Sequence, residues 1–213
     1  MDVHIWDHEV SWDEHDGIKS AVTGLLSSGL SGYAFEHSDI GGYTAIDSPL
    51  LEYHRSKELL MRWIELGAFT VVFRTHEGNR PGVNHQIYSD EETLRHFARL
   101  AGVYAAWRPY RTDLVGEAAE TGLPVARHPF IHYPEDPEVY SLEYQFMVGE
   151  DLMVAPVLDP GEEAVEVYLP AGGCTSGPTR STVLWRVAST RPCRRRSGSP
   201  PSSTKRARRR GPT

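Results

Sequence analysis

Gly32-Tyr33-Ala34-Phe35-Glu36-His37-Ser38-Asp39-Ile40-Gly41-Gly42-Tyr43 and Ala68-Phe69-Thr70-Val71-Val72-Phe73-Arg74-Thr75-His76-Glu77-Gly78-Asn79-Arg80-Pro81 share one plan. Each is a short apolar run that ends in a polar, glycine-containing cluster. Between them, over residues 51–66, Leu59, Leu60, Trp63 and Leu66 recur at helical spacing, with Arg55, Lys57, Glu58 and Arg62 mostly off that face. Strand, polar loop, helix, strand, polar loop is the order of an α/β protein, and in α/β barrels the ligand-handling residues sit at the carboxyl ends of the strands. Asp39, Arg74 and His76 fall at those ends, beside glycines that let a backbone come close to a ligand.

Working outward, residues 33–36 and 68–73 read as strands. Ile18, Val22, Leu25, Leu26 and Leu30 predict a helix over 17–30, with Asp13 or Asp16 as its N-cap. A long helix or helix pair is expected over 91–120, its stripe including Leu94, Phe97, Ala101, Tyr104 and Trp107, with Pro109 breaking it. Beyond Gly122 the pattern changes to short β-type runs at 123–130, 151–157 and 164–169, punctuated by prolines and by Gly161. The expected organisation is an α/β unit over 1–122, the start of an all-β domain over 123–172, and a separate tail over 173–213.

Charge divides the chain at the same place. Residues 174–213 hold 11 of the 22 Lys and Arg and none of the 29 Asp and Glu, so the net charge of −7 sums an acidic body and a basic tail. The tail is rich in Ser, Pro, Thr and Arg. It reads as disordered, as a nucleic-acid-binding arm, or as the product of a shifted reading frame, the last being the preferred reading. No nucleic-acid partner is expected. Nothing approaches the roughly 18 to 20 apolar residues of a membrane span, and the start carries no signal-peptide pattern, so a cytoplasmic location is expected. Cys174 and Cys193 form neither a disulfide framework nor a metal-site spacing, and no metal or cofactor is expected.

The residues that could carry chemistry are Asp7, Asp39, Arg74 and His76. Each has a plainer reading. Asp39 could cap the turn that follows it, His76 could be a satisfied core histidine, and Arg74 could be an ion-pair partner for Asp39. Asp7 lies between Trp6 and Trp12, and a carboxylate among aromatic rings suits a sugar, although a residue there could equally be surface.

Together the motifs resemble glycoside hydrolase family 31, and its sulfoquinovosidase branch in particular. The resemblance runs from about Trp6 to Pro170. It rests on Asp7-x-x-Val10-x-Trp12, the His37–Tyr43 cluster, Arg62-Trp63, the Arg74–Pro81 cluster, and Gly149-Glu150-Asp151-Leu152-Met153-Val154-Ala155-Pro156-Val157. It implies the C-terminal part of a (β/α)8 TIM barrel followed by the start of a β-sandwich, and a retaining α-glycosidase acting on an α-glycoside or sulfoquinovoside. In the family, Asp7 matches the general acid/base, Asp39 and His76 match residues that hold the sugar ring, and Arg74 lies close by. Tyr43, where α-glucosidases of the family carry Phe, matches the sulfoquinovosidase residue that meets the sulfonate. Trp6 and His8 depart from the family's Gly and Gln. The family's nucleophilic Asp lies upstream of the matched residues. The isolated chain is therefore expected to be poorly folded and without turnover, and a noncatalytic carbohydrate-binding remnant is the alternative. The sequence says nothing of oligomeric state.

Overall fold

The computed structural model describes residues 3–4, 8–49, 51–170, 174–175 and 188–189. Trp6, Asp7 and most of the basic tail lie outside the described residues.

The first strand, β1 (Val3–His4), pairs in parallel with β2 (Glu36–His37), placing Val3 opposite Glu36 and His4 opposite His37. Helix α1 (Ile18–Leu30) joins them and buries Ile18, Val22, Leu25 and Leu26. Its N-cap is Gly17, not either aspartate. Asp13 Oδ1 accepts from the N–H groups of His15 and Asp16, and Asp16 Oδ1 accepts from Glu9 N–H, so both carboxylates are occupied in the preceding turn. Ser20 Oγ takes the N-terminal role by accepting from Gly17 N–H at 2.9 Å.

The wall continues past β2 through single parallel bridges of Glu9 with Thr44 and of Ile40 with Thr75. Residues 33–36 are strand only at their last position, and residues 68–73 form no strand. The N–H groups of Ala68, Phe69 and Thr70 turn back onto the carbonyls of Ile64, Leu66 and Gly67, so the chain first pairs at Thr75. The helix read over 51–66 is shorter, α2 (Lys57–Gly67), with Ser56 Oγ accepting from Leu59 N–H as N-cap. Residues ahead of it form a hairpin, β3 (Ile46–Ser48) against β4 (Leu51–Tyr53). Arg55 and Arg62, which helical spacing puts off the buried face, are both buried.

Two helices follow, α3 (Glu91–Ala106) and α4 (Arg108–Thr121), separated at Trp107 with Pro109 in the first turn of α4, where a missing N–H costs nothing. Leu94 is exposed, and Thr93 and Leu100 are the residues of α3 that are buried. The chain then turns antiparallel: β5 (Ala126–Arg127), β6 (Phe146–Val148) and β7 (Leu152–Val154) form a meander. Residues 146–148, absent from the sequence-based expectation, supply its central strand. Residues 164–169 form no strand; Tyr168 docks through the side chain of Gln145, which accepts from its N–H and donates to its carbonyl. A last short pair joins β8 (Cys174–Thr175) to β9 (Ala188–Ser189). One apolar cluster runs from α1 and Ile40 through Trp63 and Leu66 of α2 to Val125, Phe146 and Val154, so the parallel and antiparallel parts share a core.

Glu36 is a carboxyl inside this packing, between the parallel strands and α1. Burial pushes its pKa up to about 7, and a hydrogen bond from Ser28 opposes the shift. The folded protein thus holds a proton that the unfolded chain releases near pH 4.5. Its contribution is most favourable below that pH and is lost as pH rises toward 7. Glu36→Gln should raise stability at pH 8 by on the order of 2 kcal/mol and flatten the fall between pH 5 and 7.5, measured by chemical denaturation. An unchanged pH slope would contradict this placement.

Candidate functional site

The two polar clusters meet because their strand ends are neighbours. Ile40 N–H donates to Arg74 O at 3.0 Å, which puts Asp39 beside the start of the second cluster. Asp39 is 2% exposed, and Arg74 Nε lies 3.1 Å from its Oδ1. The ion pair named as the plainer alternative is therefore present, and Arg74, 46% exposed, carries it toward solvent. On the other side of the first loop, the Tyr43 ring stands edge-on to His76, 4.8 Å between centroids and inclined by 71°.

His76 is held in one tautomer. Its Nδ1 accepts from Gly78 N–H at 3.0 Å, so in the neutral ring the proton is on Nε2, which is left as a donor. Asn79 staples the loops together: its N–H donates to Tyr43 O, its Oδ1 accepts from Ala45 N–H at 2.8 Å, and its Nδ2 donates to Ala45 O at 3.1 Å. From the helix layer, the indole N–H of the fully buried Trp63 donates to Ser38 Oγ at 2.9 Å, fixing the strand one residue before Asp39.

Sequence reasoning missed Arg55. It precedes the cap of α2 and sits behind both clusters, 2% exposed. Nη1 donates to Gly42 O at 3.2 Å and to His76 O at 2.8 Å. Nη2 donates to Glu77 O at 3.3 Å and Gln86 Oε1 at 2.7 Å, and Nε donates to His85 O at 2.8 Å. The nearest signal in the sequence is a lone arginine between a hairpin and a helix cap, which identifies no partner.

The segment after Asp7 also reaches the site. His8 O accepts from the N–H groups of Tyr43 and Thr44, and Val10 N–H donates to Thr44 O. Asp39, Tyr43, Arg74 and His76 are thus brought together, while Asp7 lies outside the described residues. The assembly offers a buried carboxylate, a guanidinium held against it, an imidazole N–H and a phenol. That set suits a small polyhydroxylated ligand. No group of three or more His, Cys, Asp or Glu that could hold a metal occurs among the described residues, and no helix among them is long and apolar enough to cross a membrane.

The profile for the glycosyl hydrolases family 31 TIM-barrel domain matches residues 4–102, and that for the family's C-terminal domain matches residues 122–182. The chain is 48% identical over 171 residues to a sulfoquinovosidase of Agrobacterium fabrum (strain C58), covering 79% of this chain and 25% of that protein. It is 47% identical over 164 residues to the sulfoquinovosidase of Escherichia coli (strain K12), covering 77% and 24%. A family 31 sulfoquinovosidase from E. rectale, solved with an aza-sugar inhibitor, superposes with a TM-score of 0.77 at 42% identity, covering 81% of this chain and 25% of that one. The chain spans about a quarter of the length of the curated relatives it matches. The matched fold is the TIM barrel and C-terminal domain expected from the motifs.

Gly42 has φ +71°, and a Cβ there would lie 2.7 Å from Glu9 O. Gly42→Ala should therefore destabilise the chain by about 2–4 kcal/mol, from the left-handed backbone and the clash together. Gly32→Ala, at φ +94° with open space around it, should cost about 1 kcal/mol. Equal losses in denaturant titrations would show that the close approach of residue 9 is not tight.

Proposed function

The chain belongs to glycoside hydrolase family 31, and we propose from that premise that its two loops form the sugar-holding side of an α-glycosidase site of the sulfoquinovosidase type. The observation that carries the reading is that neighbouring strand ends present an Asp39–Arg74 ion pair and a Tyr43–His76 ring pair. Asp39 accepts hydrogen bonds from ring hydroxyls, and Arg74 holds its carboxylate in one orientation. His76 donates from Nε2 to a further sugar oxygen. Tyr43 donates its phenol O–H to a sulfonate oxygen, an interaction that a Phe at this position lacks.

The reaction is hydrolysis with retention. Asp7, by its match to the family motif, protonates the leaving oxygen and then accepts a proton from water. A second carboxyl group, about 5–5.5 Å away, forms and releases the glycosyl intermediate. In the family it lies upstream of the residues matched here, so the residues of this chain bind the sugar and supply the proton but do not complete the turnover. Asp39 belongs to neither step on this reading. It is a binding residue, whose bonds to hydroxyls strengthen as the ring develops positive charge, and charge-assisted bonds of this kind are worth about 1.5–3 kcal/mol each.

Binding separates from hydrolysis experimentally. Titration followed by tryptophan fluorescence, with Trp63 bonded to the residue before Asp39 as the reporter, should show saturable binding of sulfoquinovose that is tighter than that of glucose. Asp39→Asn should weaken both sugars about tenfold or more. Tyr43→Phe should narrow the preference for sulfoquinovose and leave glucose unchanged. Absence of saturation with either sugar, or an Asp39→Asn variant that binds as the parent does, would sink the proposal.

A further inference from the structure

We propose that Arg55 is a positioning residue that sets the spacing of the two sugar-binding loops, an inference that rests on the sugar-binding reading of those loops. Arg55 touches none of Asp39, Tyr43 or Arg74 through a hydrogen bond. Every side-chain bond it makes is to the frame that carries the site: the carbonyls of Gly42, His76, Glu77 and His85, and the side chain of Gln86. Its own N–H donates to Asn84 Oδ1 at 3.0 Å, which pins the start of the side chain as well.

Arginine has five N–H donors in a rigid plane, and here five bonds leave that plane. One nitrogen, Nη1, serves both Gly42 O and His76 O. Gly42 precedes Tyr43, and His76 supplies the ring against which Tyr43 packs, so the gap between the two carbonyls fixes the gap between the two rings. Lysine would offer three donors from a single point at the end of a flexible stem and could not span four carbonyls. The Arg55 charge is kept although burial lowers its pKa to about 10, because Tyr88, Asp39 and Glu77 favour the protonated form. Removing the guanidinium would leave buried carbonyls unsatisfied, and the loops would relax toward water.

A buried arginine can also be purely structural, and Arg127 supplies the control. It is 1% exposed, donates to Pro124 O at 2.7 Å and pairs with Glu117 at the junction of α4 and β5, among none of the site residues. In the full chain, Arg55→Lys should lower sulfoquinovose affinity at least tenfold and shift the NMR resonances of the His76 ring in the absence of sugar. Arg127→Lys should lower the melting temperature comparably, with affinity within twofold of the parent and the His76 resonances unmoved. Gln86→Met, which keeps Arg55 and removes one acceptor, should weaken binding about threefold and serves where Arg55→Lys does not fold cooperatively. Parent-like affinity and unmoved His76 resonances in the Arg55 or Gln86 variant, or an equal loss in Arg127→Lys, would overturn the positioning role. A parent chain that never binds sugar but whose His76 resonances move in Arg55→Lys would overturn the sugar reading and leave the positioning role standing.

Discussion

The arrangement of the site depends on one buried guanidinium. Arg55 lies beneath two loops that are more than thirty residues apart in sequence, and its bonds to Gly42 O and His76 O make them one surface. Parallel pairing alone would not do this. Among the described residues the two clusters share a single bridge, Ile40 with Thr75, which aligns the strand ends but leaves the loops above them unconstrained. Asn79 adds a second tie, acting as a piece of strand through its amide. The polar network must be complete to be favourable, since each buried carbonyl left without a donor costs about 1–3 kcal/mol.

The apolar core holds this polar layer in place from below. Trp63, fully buried, packs the centre of α2 and at the same time bonds Ser38, so the helix that carries the core also fixes the strand that carries Asp39. Side chains alternate along that strand: Glu36 and Ser38 meet the helices, and Asp39 turns to the loops. The raised pKa of Glu36 follows from that alternation, because its side of the strand is covered by α1. The glycines complete the packing. At Gly42 a left-handed backbone and the absence of Cβ let the chain at Glu9 lie directly against the loop.

How much of this could be read in the sequence varied with the range of the interaction responsible. That Asp39 and Arg74 lie close together was legible because the clusters that carry them are local and follow apolar runs, whereas Tyr43 was singled out only through the family resemblance. Helices α1 and α2 were legible at their cores, where Ile18, Val22, Leu59 and Trp63 recur with helical period, and α1 at both ends, but the cap of α1 and the start of α2 were not. Asp13 and Asp16 look like caps, yet both are taken by the preceding turn. Residues 68–73 have the composition of a buried strand, and capping of α2 consumes their first three N–H groups. Helical spacing puts Arg55 mostly off the apolar face, and its burial was not legible because four of its five side-chain acceptors are backbone carbonyls, which leave no trace in residue identity. The central strand at 146–148 is too short to stand out from its surroundings. Fold family was therefore more legible than site geometry: motifs identify the family, and tertiary hydrogen bonds place the atoms.

The central claim is that the loops at residues 39–43 and 74–79 form one ligand site. The most direct measurement is an NMR titration of the chain with sulfoquinovose, following backbone amides in both loops and the rings of Tyr43 and His76. The account predicts that resonances from both loops move together along one binding curve with a single Kd. Shifts confined to one loop, or two curves with different midpoints, would contradict it.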